Sequence, residues 1–167
     1  MIELRPYEEC DAEHIVSWIK DEKAFRKWSA DRYECYPITA DDMNAYYSSN
    51  VCEGTLYKMT ALEDGEIVGH LTMRFTDEEK KVLRFGFVIV DDAKRGKRYG
   101  KQMLKLAIQY AFDVLEVDKI TLGVFENNDS AYFCYKAVGF QDVQLKKVET
   151  YHVMGEDWKC LELELVR

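Results

Sequence analysis

The stretch "VLRFGFVIVDDAKRGKRYGKQMLKLAIQYA", residues 82–111, decides how this chain is read. Its opening, 82–90, is an almost unbroken apolar run, the pattern of a strand buried on both faces and central in its sheet. Its end is helical: Met103, Leu104, Ala107, Ile108 and Ala111 recur at helical spacing. Between them, "KRGKRYGK" (94–101) gathers five cations and two glycines in a chain whose formal net charge is −8. A strand that turns through glycine into a helix offers an anion unpaired backbone N–H groups and the positive end of a helix dipole. Gly96 and Gly100 let the backbone take φ > 0 and come close to oxygen atoms. The familiar nucleotide loops do not fit. Only three residues separate Gly96 from Gly100, Gln102 follows Lys101, and no G-x-G-x-x-G occurs. On composition alone, a solvated turn and a patch for nucleic acid stand beside the anion loop as readings.

The rest of the chain narrows the class. With 167 residues, 47% hydrophobic and 32% charged, it has globular composition and enough length to bury a core, so one domain over 1–167 is expected. A sequence pI near 5.0 argues against nucleic acid as the main partner. Five scattered cysteines without a C-x-x-C pair suggest neither a disulfide framework nor a zinc site, and no metal is expected. No apolar run approaches the roughly 18 residues of a membrane span. Residues 1–6 read as a first strand and lack the apolar core of a signal peptide. The expectation is a soluble, cytoplasmic protein with no membrane partner.

Upstream of the central stretch, Ile15, Trp18 and Ile19 mark one helix and Ala24, Phe25 and Trp28 a second. In "ITADDMNAYY" (38–47), Thr39 is an N-cap, acids fill the first turn, and Met43, Tyr46 and Tyr47 form the apolar stripe. "TLYKMTALEDGEIVGHLTMRF" (55–75) reads as two strands joined across Asp64-Gly65, with Ile67, Gly69, Leu71, Met73 and Phe75 on one face. Downstream, "KITLGVF" (119–125) is a strand and "NDSAYFCYKAV" (128–138) a helix that Gly139 stops. "WKCLELELVR" (158–167) alternates as a final strand. The coarse order is β-α-α-ββ-β-α-β-α-β-β: an α/β fold of the α+β type, a mixed sheet with helices packed on it.

"RFGFVIVDDAKRGKRYGKQMLKLAIQYA" (84–111), followed by "VFENNDSAYFCYKAVGF" (124–140), resembles the GNAT superfamily of acyl-CoA-dependent N-acetyltransferases. The family's first hallmark is a central strand, then Gln/Arg-x-x-Gly-x-Gly/Ala opening a helix. Its second is Asn-x-x-Ala-x-x-x-Tyr-x-x-x-Gly-Phe, which Asn128, Ala131, Tyr135, Gly139 and Phe140 match throughout. The likeness covers roughly 82–140, and the first fifty residues share only a helical character. It implies a mostly antiparallel central sheet, flanked by helices and splayed where coenzyme A binds. It further implies that Arg95, Gly96, Lys97, Arg98, Tyr99, Gly100 and Lys101 cradle the pyrophosphate of acetyl-CoA. Arg98 departs from the pattern, standing where the family usually has glycine. Two readings follow: the side chain crowds the pyrophosphate if the loop needs φ > 0 at Arg98, or Gly96 absorbs the strain and Arg98 adds a phosphate contact, and the second is the expectation.

The same resemblance implies roles elsewhere. Tyr135 becomes the general acid that protonates the departing thiolate, since a phenol can protonate a thiolate when well placed. Asn128 contacts the pantetheine or caps its helix. The backbone of Phe87, Val88, Ile89 and Val90 binds pantetheine and supplies the oxyanion donor. Many relatives carry Glu where Arg84 stands, so no base transfers; Glu126 is a candidate by position, with Glu34 and Asp31 behind it. His70 and His152 read as structural. For the acceptor, "FRKWSADRYECYPI" (25–38) interleaves Trp28, Tyr33 and Tyr36 with Asp31 and Glu34, a set able to hold a cation. The same aromatics equally well seal the helices to the sheet. "TYHVMGEDW" (150–158) forms the other wall or a homodimer contact. The function implied is direct-attack transfer of acetyl from acetyl-CoA to the primary amine of a small molecule or a peptide N-terminus. The alternative is a non-catalytic acyl-CoA sensor, favoured by Arg84 in the base position.

Overall fold

The computed structural model describes residues 1–50, 56–94 and 96–167. In chain order the elements are β1 (Ile2–Pro6), α1 (Asp11–Ser17), α2 (Glu22–Ser29), α3 (Ala40–Asn50), β2 (Leu56–Glu63), β3 (Glu66–Phe75) and β4 (Val82–Val90). After a 3-10 turn at Asp92–Lys94 come α4 (Tyr99–Asp113), β5 (Lys119–Phe125), α5 (Asp129–Ala137), β6 (Gln141–Asp142), β7 (Glu149–Val153) and β8 (Glu156–Val166). One sheet runs β1-β2-β3-β4-β5-β8-β6, with β7 added on β8. Among the described strands only β4 and β5 pair in parallel. The expected fold class is thus the observed one. No described helix is long and apolar enough to cross a membrane.

Local chemistry sets the ends of the elements. Thr39 and Asp42 cap α3 reciprocally: the Asp42 N–H donates to Thr39 Oγ1 at 3.1 Å, and the Thr39 N–H to Asp42 at 2.8 Å. Asp21 caps α2 by accepting the Ala24 N–H at 2.7 Å. The β2–β3 hairpin turns through Asp64 and Gly65, both at positive φ. A second hairpin, β7–β8, turns through Met154 and Gly155 in the same way. Sequence reading misses it because methionine is no turn residue, so the segment 150–158 is a hairpin rather than a bare wall. The two-residue β6 also goes unread.

Two helical layers cover the sheet. On one face α4 sets Met103, Leu104 and Ala107 against Leu71, Met73, Leu83, Phe85, Ile120 and Leu122, all buried together. On the other, α1 to α3 contribute Ile15, Phe25, Met43 and Tyr47 to a second cluster. Two expectations need correction. A bulge at Val68, between the pairs Ala61–Gly69 and Leu62–Ile67, breaks the alternation in β3. Val68 therefore joins the α4-side core, while Ile67 packs against the α1–α3 cluster instead of sharing a face with Leu71. And β4 is fully buried only at Leu83 and Phe85; its second half is partly open, because the neighbouring strand leaves it.

Candidate active site

β4 and β5 pair at three positions, Val82–Lys119, Leu83–Ile120 and Arg84–Thr121. Beyond them β5 stays with β8 through Phe125–Cys160, and no described strand pairs the β5-facing edge of residues 85–90. The two parallel strands diverge like the arms of a V. On its other edge β4 carries a bulge: Thr72 faces Gly86 and His70 faces Ile89, so Phe87 and Val88 together oppose Leu71. Phe87 takes φ 49°, a left-handed conformation that costs an aromatic residue on the order of 1–3 kcal/mol. Packing holds it there, with the rings of Trp28 and Tyr46 at 5.0 and 5.7 Å.

The gap between the arms is a cavity of about 470 Å³. Its floor is Gly86 to Val90 and the β5 residues Gly123 and Val124; Asn128 ahead of α5, Cys134 and Tyr135 of α5, Gly100 of α4 and Trp28 of α2 wall it. Tyr135 is buried to 7% exposure, and burial pushes its phenol pKa well up. The hydroxyl therefore stays protonated across the physiological range. Asn128 is the N-cap of α5, with no side-chain cap hydrogen bond.

Of the residues expected to bind the cofactor, Phe87, Val88, Ile89, Val90, Gly100, Asn128 and Tyr135 line this one cavity. Lys97 and Tyr99 instead border a separate pocket with Glu63, Asp64 and Glu66 of the β2–β3 turn. A hydrogen bond to Glu63 raises the Tyr99 pKa to about 12. Lys94 is likewise tied to Glu66 at 2.6 Å. Gly96, Arg98 and Lys101 do not line the main cavity. Arg95 lies outside the described residues. The expectation that Gly96 absorbs the strain for Arg98 is corrected: Gly96 takes φ 86° and Arg98 φ 59°, so the loop does need φ > 0 at Arg98, the condition of the other reading. Two left-handed residues are used to swing the chain from the 3-10 turn into α4.

The residues expected around the acceptor scatter. Trp28 lines the cavity, whereas Tyr33 and Tyr36 pack on Phe25 with ring centroids 5.8 and 5.2 Å away. Asp31 borders a different cavity of about 600 Å³, with Glu149 and Tyr151. Glu34 is exposed and lends its carbonyl to Arg26 at 3.1 Å. Glu126 is exposed too and does not line the main cavity; its N–H bonds the Lys159 carbonyl and holds the chain to β8. His70 is buried, hydrogen-bonded to Tyr47 at 2.6 Å, and burial lowers its pKa to about 4. His152 is exposed beside Asp157.

Arg84 is paired bidentately with Glu162, at 2.9 and 3.1 Å, and also reaches Thr121 Oγ1 at 3.2 Å. Sequence reading singles out neither Glu162 nor two further arginines nearby, Arg32 and Arg74. Their proximity depends on strand register and on a loop fold, for which local sequence carries no signal.

Residues 14–140 match the model of the Acetyltransferase (GNAT) family. The chain belongs to the GNAT family. It is an acyl-CoA-dependent N-acetyltransferase by this membership, with acetyl-CoA as its acyl donor. The spermidine N(1)-acetyltransferase of Escherichia coli K12 is 24% identical over 155 residues, covering 93% of this chain and 80% of the relative. The L-amino acid N-acetyltransferase AaaT of the same organism is 31% identical over 86 residues, covering 50% of this chain and 52% of the relative. The crystal structure of spermidine N-acetyltransferase from Vibrio cholerae, in complex with CoA and spermine, superposes with a TM-score of 0.81 at 18% identity. That superposition covers 99% of this chain and 95% of the other. The GNAT enzyme thus shares its whole fold with that structure.

Proposed function

We propose that this GNAT enzyme transfers acetyl from acetyl-CoA by direct attack of a small-molecule primary amine or a peptide N-terminus, with Tyr135 as general acid. The observation that carries the reading is the unpaired edge of 85–90 facing Tyr135 across one cavity. The residues present fit the cofactor. A free strand edge can pair with the amides of pantetheine as another strand would. The N-terminus of α4 presents N–H groups to pyrophosphate, and nothing stands within 4 Å of where a Gly96 Cβ would be.

Acetyl-CoA supplies an activated acetyl thioester. The Phe87 to Val90 backbone orients it, and one N–H of this bulged segment stabilises negative charge on the thioester oxygen. Asn128 steadies the same end of the cavity. Tyr135 Oη holds the proton destined for the departing sulfur, and burial keeps that proton in place until it is needed. The amine's proton passes to water. Asp21 and Asp92 are the carboxylates lining the cavity, Asp21 already accepts the Ala24 N–H, and Glu126 lies outside.

Thiol release from acetyl-CoA tests the reading against spermidine, spermine, amino acids and N-terminal peptides. Tyr135→Phe is expected to lower kcat by about 10²- to 10⁴-fold with little change in the KM for acetyl-CoA. Unchanged turnover removes Tyr135 as the acid. Arg84, closed on Glu162 where relatives keep a carboxylate, favours the sensor as a second reading. Acetyl-CoA binding without thiol release for any amine is the result that reading requires.

A further inference from the structure

Three guanidinium groups gather beside the cavity, on the sheet face away from α4 and α5, though none of them is one of its lining residues. Arg74 and Arg84 are registered partners across β3 and β4, as are Thr72 and Gly86 beside them, and Gly86 lines the cavity. Arg84 lies over Gly123, its Nη2 only 3.0 Å from where a Cβ on that glycine would stand; Gly123 lines the cavity as well. Arg32, in the loop after α2, holds its guanidinium 5.4 Å from the Phe87 ring centroid. Arg32 and Arg84 therefore border lining residues of the splayed strands, and Arg74 stands beside Arg84.

Their charge is only partly met. Glu162 neutralises Arg84, whereas Arg32 and Arg74 have no acidic partner among the described residues. Partial burial, then the like charges of Arg84 and Arg32, lower the pKa of Arg74. Asp31 and Glu149 lie farther toward β7, beside Tyr151, and pair with neither arginine. A chain of net charge −8 thus keeps a local cationic cluster beside the cavity, on the sheet face away from α4 and α5. Like charges held together in this way are relieved by an incoming anion.

We propose that Arg32 and Arg74 recognise a carboxylate on the acceptor, so that the acceptor is a small amine of the amino-acid type. This rests on the acetyl transfer proposed above and narrows its substrate. A guanidinium fork matches a carboxylate through two parallel hydrogen bonds, which an amide or a bare amine cannot accept in the same way. A polyamine brings further positive charge to the same place, and the arginines select against it.

The test compares thiol release for L-amino acids, each beside its carboxamide and its decarboxylated amine, and for spermidine. The enzymes are wild type, Arg32→Gln, Arg74→Gln and Arg74→Lys. Calorimetric titration of the same compounds into the CoA-bound protein gives a readout independent of turnover. At least one amino acid is expected to exceed its carboxamide by about tenfold or more in kcat/KM and in affinity. Arg74→Gln and Arg32→Gln should each raise its KM by a similar factor, leaving the KM for acetyl-CoA within about twofold, and Arg74→Lys should restore part of the loss. Equal use or equal binding of acid and amide overturns the proposal, as does a preference for spermidine that Arg74→Gln leaves intact. If no amine is turned over, the transfer reading fails separately. Calorimetry then decides the site: carboxylate-selective binding lost in Arg74→Gln upholds it, and no such binding overturns it.

Discussion

Arg98 is the residue whose backbone and side chain disagree. It is the N-cap of α4 at φ 59°, and its side chain makes no capping hydrogen bond. A left-handed conformation costs an ordinary L-residue about 1–2 kcal/mol, but little for glycine or asparagine. Arg98→Asn should therefore leave stability equal or higher, while Arg98→Val should lower it by about 1–2 kcal/mol in urea denaturation. Identical midpoints for the two variants would show that the loop relaxes away from this φ. The sequence names the loop and its irregular residue, and it leaves open which residues carry the left-handed turns. That depends on how far β4 and the helix start are apart, a distance set by packing. Tyr135 and Asn128 were legible for the opposite reason, since both belong to one local motif, and their spacing of seven, two helical turns, puts them on one face of one helix.

Among the elements, the seating of α4 on β3 controls the open edge of β4. A Cβ added at Gly69 would stand 2.7 Å from Met103 Sδ and 3.3 Å from the Ile89 carbonyl. Met103 is fully buried, so its sulfur can shift only by repacking the neighbours around it. Gly69→Ala is expected to cost about 1–3 kcal/mol through overpacking and to weaken acetyl-CoA binding, because Ile89 lies on the edge proposed to hold the cofactor. Denaturation and an acetyl-CoA titration check the two parts; a destabilised variant with normal affinity would separate α4 from the edge. The cap of α3 is a simpler case. Thr39→Ala should cost about 1 kcal/mol by removing the acceptor for the Asp42 N–H. The cap was readable because its partners lie within one helical turn. The bulge at Val68 was not, since it is defined only by the strand opposite.

At the scale of the molecule, a buried polar network joins the sheet to the N-terminal helices. Asp11 accepts two hydrogen bonds from Arg5, both at 2.8 Å, one from Thr60 at 2.7 Å and one from the Glu8 N–H at 2.9 Å. Burial alone would raise its pKa, but these bonds outweigh it and hold the carboxyl below its usual value. Nearby, His70 stays neutral, with its pKa near 4 against an ordinary 6.5. The unfolded chain binds a proton at His70 below pH 6.5 that the folded chain refuses. Stability is therefore full above about pH 6.5 and falls between there and about pH 4. Asp11 adds a further loss at lower pH, as acid protonates it through its depressed folded pKa. Thermal melts across pH 3 to 8 should show both limbs, and His70→Gln should flatten the upper one alone. An unchanged upper limb would mean that His70 protonates in the native state.

The sequence by itself determined the parts of this protein that are encoded within one element or one turn. These are the order of strands and helices around 82–140, the glycine-bearing start of α4, the helix that carries Tyr135, and through them the GNAT family. Periodicity and capping act over a few residues, so they survive without a fold. The tertiary structure decided whatever depends on separate strands meeting. It set the divergence of β5 from β4 that opens the cavity, the diversion of Lys94 and Tyr99 to the β2–β3 hairpin, and the pairing of Arg84 with Glu162. It also brought Arg32, Arg74 and Arg84 close to one another beside the splayed strands. Register and loop closure place charges from distant positions side by side, and no local pattern in the chain records where that will happen.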